Sequence, residues 1–213
     1  MREAPDNLSL INNTGIALAK VGNRPAAREL FVTISDRALE SSSEWTSAIV
    51  HLTTNLLTCL LEGNEYSRVA YYAPKILEKI PATFQKERVE IVFRFIHALV
   101  ALKKYDEANG LAEREISALN SDDLLSLRLM QFLLHQFSVV MPNFEKAKPF
   151  INALLNAAHR SDIEEKYRIQ FANNAVFGLL QFGRTREAGA HLGAITKKVL
   201  KNSYVTATFG LFY

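Results

Sequence analysis

The sequence holds one cysteine, Cys59, in 213 residues, together with only six prolines and nine glycines. A single thiol excludes a disulfide within the chain and suits a reducing compartment. The scarcity of Pro and Gly leaves little room for linkers. No apolar run approaches the roughly 18 to 20 residues needed to cross a bilayer, so no membrane contact is expected. Residues 1–7 lack the apolar core of a secretion signal, and the chain reads as cytoplasmic. Motifs of catalysis are missing too: there is no GxGxxG, GxxxxGK[ST], GxSxG or HExxH. His51, His97, His135, His159 and His191 show no metal-ligand spacing. Cys59 sits in the apolar stretch 56–61 and reads as a structural thiol. Neither an enzyme nor a cofactor is therefore expected. Excess charge is small, at +3, and Lys and Arg alternate with Glu and Asp. The densest basic group, Lys197, Lys198 and Lys201, reads as a solvated face, and no nucleic-acid partner is expected.

What is present is a pattern that returns five times. A small residue opens a helix just after a tight turn, at Ala27, Val69, Ala108, Ala147 and Ala188, in steps of 42, 39, 39 and 41 residues. An aromatic stands three positions earlier in three copies, at Tyr66, Tyr105 and Phe144. A period near 40 marks helical pairs that cannot bury their own faces and must stack, and such arrays point to a binding surface before an enzyme. The 48% hydrophobic and 22% charged content is that of an ordinary globular chain, which suits one domain over 1–213.

Apolar residues recur at helical spacing between the turns, predicting ten helices near 8–21, 24–39, 44–62, 65–80, 83–102, 105–119, 122–140, 144–158, 162–182 and 185–200. Gly22 suits a left-handed helix end, Asn23 caps the next helix, and Pro25 fits its first turn. Asn64 follows Gly63, Pro81 closes the fourth helix, Pro142-Asn143 opens the eighth, and residues 161–164 read as a capping box. Small anchors let paired helices approach closely, with Leu57, Phe95, Ile96, Leu134 and Val176 as core bulk beside them.

These residues resemble the tetratricopeptide repeat. With the five anchors on the family's small residue of the second helix, Gly15 falls on the glycine of the first helix, Gly22 on the inter-helix glycine and Phe31 on the second-helix aromatic. Tyr66, Tyr105 and Phe144 take the turn aromatic, Pro81 the closing proline and Gly183 the turn of the last copy. The unit is about 40 residues rather than 34, and with Asn12-Asn13 and Asn173-Asn174 it is most similar to the long repeats of kinesin-light-chain type. The resemblance implies an all-α, right-handed solenoid of about five antiparallel helical hairpins, over 8–42, 43–82, 83–121, 122–160 and 161–201, with 202–213 as a C-terminal cap.

It further implies that the first helix of each pair lines a concave groove. Its exposed positions, three or four residues apart, share one helix face. The sixth repeat position reads Asn13, Asn55, Arg94, Leu133 and Asn174. The ninth reads Ile16, Thr58, His97, Gln136 and Phe177, and the thirteenth Lys20, Glu62, Ala101, Val140 and Gln181. An Asn amide offers a donor and an acceptor that match an extended backbone. The expected contacts to a protein or extended peptide are thus Asn13, Lys20, Asn55, Arg94, His97, Gln136, Asn174 and Phe177. The same Asn residues also serve as hydrated or interhelical amides with no ligand, and that reading stays open. So do two others: a sensor or output-coupling domain of a larger signalling protein, and a structural module that forms a homo-oligomer through the uncharged, aromatic-rich segment 203–213.

Overall fold

A computed structural model describes residues 5–41, 45–119 and 123–199. The expected cap at 202–213 and the side chains of Lys197, Lys198 and Lys201 lie outside the described part. The chain is all-α, with no strand among the described residues. It divides into two compact units, Met1–Leu111 and Ala112–Tyr213.

Unit 1 contains α1 (Pro5–Lys20), α2 (Arg24–Glu40), α3 (Ser47–Glu62), α4 (Tyr66–Lys79), α5 (Gln85–Ala101) and the start of α6 (Tyr105–Ala118). From α1 to α5 each helix packs on its sequence neighbour, and α1 also meets α3, α2 meets α4 and α3 meets α5. The core gathers Phe31, Trp45, Leu52, Leu56, Leu57, Leu60, Tyr72, Ile76 and Ile91. Burial of such side chains, about 1.5–3 kcal/mol each, is what holds helices of only four or five turns together.

Unit 2 contains the rest of α6 with α7 (Leu124–His135), a π-helical segment (Gln136–Val140), α8 (Phe144–Ala158), α9 (Glu165–Gln181) and α10 (Thr185–Val199). Here α7 packs on α8 and α9, α8 on α9, and α9 on α10, while the π segment meets α7, α8 and α9. Leu127, Leu129, Leu133, Leu134, Phe137, Leu154, Phe171, Val176 and Leu179 are buried.

The five anchors Ala27, Val69, Ala108, Ala147 and Ala188 are all fully buried, at 0% exposure. Gly15 shows the same need for closeness: a Cβ there would lie 2.4 Å from Cζ of Phe31. Four turns share one design. The residue five places before the anchor is left-handed, with φ of 87° at Gly22, 57° at Asn64, 61° at Lys103 and 69° at Gly183. The next amide then bonds back to a leucine carbonyl nine places before the anchor. These bonds run from Asn23 to Leu18, Glu65 to Leu60, Lys104 to Leu99 and Arg184 to Leu179, at 2.8–2.9 Å. This closing bond satisfies carbonyls that a helix end leaves open.

The fourth turn departs from the rest. Its fifth place is Pro142, whose ring fixes φ near −65° and forbids the left-handed state. The Leu place is Ser138, and the bulky residue, Phe137, stands one position earlier. The chain accommodates the extra residue in the π segment, where the amide of Met141 bonds the carbonyl of Gln136 and that of Asn143 bonds Phe137, both at 2.8 Å. The expected single helix over 122–140 is therefore α7 plus a wide turn. At 161–164 the expected capping box is not formed, since the N-cap is Glu164 and its side chain makes no capping bond. Asn23 and Asn143 do cap, accepting from the amides of Ala26 and Lys146 at 3.4 and 3.1 Å.

Candidate polypeptide-binding face

In unit 1 the first helices of the repeats are α1, α3 and α5, and their polar side chains are wired to each other. The Asn55 side-chain amide donates to Oδ1 of Asn12 at 2.8 Å. Nε of Arg94 donates to Oγ1 of Thr58 at 3.0 Å, and Nη1 to the Glu90 carbonyl at 3.0 Å. Asn55 and Arg94 are thus half-buried links between neighbouring helices, not the free donors their spacing suggested. A polar group this deep must find a partner, and the adjacent repeat supplies it. Asn13, Lys20 and His97 are exposed as expected. His97 stands beside the ring of Tyr66, with centroids 6.0 Å apart, so the turn aromatic of one copy steadies the next first helix. Glu62 is also exposed and pairs with Arg24 at 3.7 Å.

In unit 2 the corresponding helices are α7 and α9. Asn174 and Phe177 on α9 are half-buried, and Gln181 is exposed. Gln136 is the clear correction: it is 2% exposed, and Leu133 is fully buried. The physical reason is the π segment. Because the bulk that fills the Leu place is Phe137, every residue of α7 is set back by one, and the face read as Leu133, Gln136 and Val140 becomes Phe132, His135 and Val139. Exposure follows the shifted register, with His135 exposed, Phe132 half-buried and Val139 43% exposed. The signal was in the sequence: four copies place Leu nine residues before the anchor, and the fourth places Ser there. Burial leaves Oε1 of Gln136 and Oγ of Ser138 without a hydrogen-bond partner, a cost of the wide turn.

The opposite helices, α2 and α4, join through a charged chain. Glu65 accepts from Arg28 and, at 2.9 Å, from Arg68. Burial pushes the Glu65 carboxyl up, but the bonds from Arg68 and Arg28 outweigh it and hold it below the ordinary value. Further along, the hydroxyl of Tyr72 donates to Asp36 at 2.9 Å. Burial, then the Asp36 carboxylate, push the Tyr72 phenol up. Cys59 is half-buried, and burial followed by the nearby Glu62 charge pushes its thiol up, which disfavours the reactive thiolate.

Among the described residues no three His, Cys, Asp or Glu side chains form a ligand set for a metal ion. No described helix is long and apolar enough to cross a membrane. Comparison with protein-family models gives no match, and comparison with curated proteins gives none either.

Proposed function

We propose that the chain is a tetratricopeptide-like binding module that holds an extended polypeptide segment against the first helices of its repeats. In this reading successive helices pair antiparallel and stack with right-handed superhelical sense. The observation that carries it is the repetition: five fully buried anchors 39 to 42 residues apart, with four turns closed by the same bond, support equivalent roles for α1, α3 and α5. Such an array exists to present one face many times over. On unit 1 that face offers Asn13, Lys20 and His97 around the Asn12–Asn55 and Thr58–Arg94 pairs, a polar surface suited to peptide carbonyls and amides. On unit 2 it offers Asn174 and Gln181 beside Phe132, Val139 and Phe177, a mixture suited to apolar side chains.

The test is selection of binding peptides from a random library displayed on phage, followed by hydrogen-exchange footprinting of the selected peptide on the chain. Protection should fall on α1, α3 and α5 or on α7 and α9. Asn13→Ala/Lys20→Ala/His97→Ala should weaken a peptide that protects unit 1, and Phe177→Ala one that protects unit 2. Protection confined to the α2 and α4 surfaces, or equal binding by both variants, overturns the reading.

A further inference from the structure

Away from the first helices, α2 and α4 of unit 1 enclose a cleft of about 290 Å³ lined by Asp36, Leu39, Glu40, Tyr71, Lys75, Glu78 and Lys79. That volume is at the lower end of binding cavities and matches one long side chain better than a whole small molecule. Its wall is Tyr71, 56% exposed, although a tyrosine of this size normally buries its ring. The ring is nonetheless held in place. It stands edge to face with Tyr72, at 5.1 Å and 86°, and Tyr72 is tied to Asp36 by its hydroxyl.

Charge decides what the cleft accepts. Both lysines are already engaged by the protein: Nζ of Lys75 lies 3.6 Å from the centroid of the Tyr71 ring, and Nζ of Lys79 donates to the Ser41 carbonyl at 2.8 Å. Among the described residues, neither Glu40 nor Glu78 takes part in an ion pair, and both are exposed. An anion entering here meets three carboxylates and two ammonium groups with other partners. A cation meets two unpaired carboxylates, an apolar strip from Leu39 and a ring whose face already attracts an ammonium.

We propose that the α2–α4 cleft receives an arginine side chain of a partner polypeptide. The planar guanidinium takes the place of Lys75 over the Tyr71 ring, its methylenes lie along Leu39, and Glu40 and Glu78 accept its N–H groups. Tyr72, through Asp36, positions the ring and does not itself bind. This contact is on a different surface from the peptide-binding face and stands or falls separately from it.

The experiment is a nuclear magnetic resonance titration of the full chain with N-acetyl-arginine amide. N-acetyl-citrulline amide, which has the same shape without the charge, and inorganic phosphate serve as the other two probes. The arginine probe should shift the amides of 36–40 and 71–79 and bind at least about tenfold tighter than citrulline, with the preference fading as salt rises. Glu40→Gln/Glu78→Gln, at two exposed positions, should remove that preference while the circular dichroism stays unchanged. Tyr71→Ala should weaken the arginine probe severalfold. Equal binding of citrulline, shifts located elsewhere, phosphate bound at Lys75 and Lys79, or a charge preference that survives in the double glutamine variant would each overturn the proposal.

Discussion

Replacing Gly15 with alanine tests the packing rule on which the repeat rests, because propensity and packing push in opposite directions there. Gly15 lies inside α1, and alanine is the better helix former by about 1 kcal/mol, so an open site would gain stability. The site is not open. The new Cβ would fall 2.4 and 2.5 Å from Cζ and Cε1 of Phe31, where contacts of 3.4 Å or more are ordinary. The ring must therefore retreat by about an ångström, and it is 1% exposed with core side chains behind it. Overpacking of this kind costs about 1–3 kcal/mol. With the propensity gain subtracted, Gly15→Ala should be destabilising by about 1 kcal/mol, within a range from near zero to about 2. A second substitution separates the two effects. In a Phe31→Leu background the clash is relieved and the same Gly15→Ala change should stabilise by up to about 1 kcal/mol. Urea denaturation, followed by circular dichroism and by fluorescence of Trp45 in the unit 1 core, measures both arms. If Gly15→Ala stabilised the protein equally in both backgrounds, the close approach of α1 and α2 would be refuted.

Three further outcomes follow from the same structure. Lys103 holds a left-handed φ of 61° that costs an L-residue about 1 kcal/mol, so Lys103→Gly should raise stability by about 0.5–1 kcal/mol in urea denaturation while Lys103→Ala leaves it nearly unchanged. Because Asn55 and Arg94 bridge neighbouring helices, Asn55→Ala/Arg94→Ala should lower the unfolding free energy measured in urea by about 1–3 kcal/mol, whereas exposed Asn13→Ala should not; a neutral double variant would mean these bonds contribute nothing. Glu65 has a folded pKa below its unfolded one, so its stabilising contribution is complete above the unfolded pKa and is lost as pH falls through the lower folded value. The stability difference between the wild type and Glu65→Gln should accordingly be constant near neutrality and narrow in acid.

How much of this was legible in the sequence depends on whether a feature is local. Helix ends were legible because a capping amide or a glycine acts on its own neighbours: Gly22, Asn23, Gly183 and Asn143 occupy the places their chemistry predicts. The buried anchors were legible because their small size recurs. The pairing of Asn55 with Asn12 and of Arg94 with Thr58 was not, since each joins residues 43 or 36 apart and depends on how neighbouring helices settle. Spacing tells which side chains share a helix face, but not whether the adjacent helix already answers them. The face of α7 failed for another reason. Counting back from Ala147 assumes that every turn contains the same number of residues, and Pro142 breaks that assumption by refusing the left-handed state the count requires. The hydrophobic pattern then takes precedence over the count. Keeping Phe137 in the place of Leu18, Leu60, Leu99 and Leu179 preserves a large buried apolar contact that the smaller Ser138 could not make there. One widened turn, with the unpartnered Gln136 and Ser138 oxygens as its penalty, is the cheaper arrangement, and it is what turns His135 and Val139 outward.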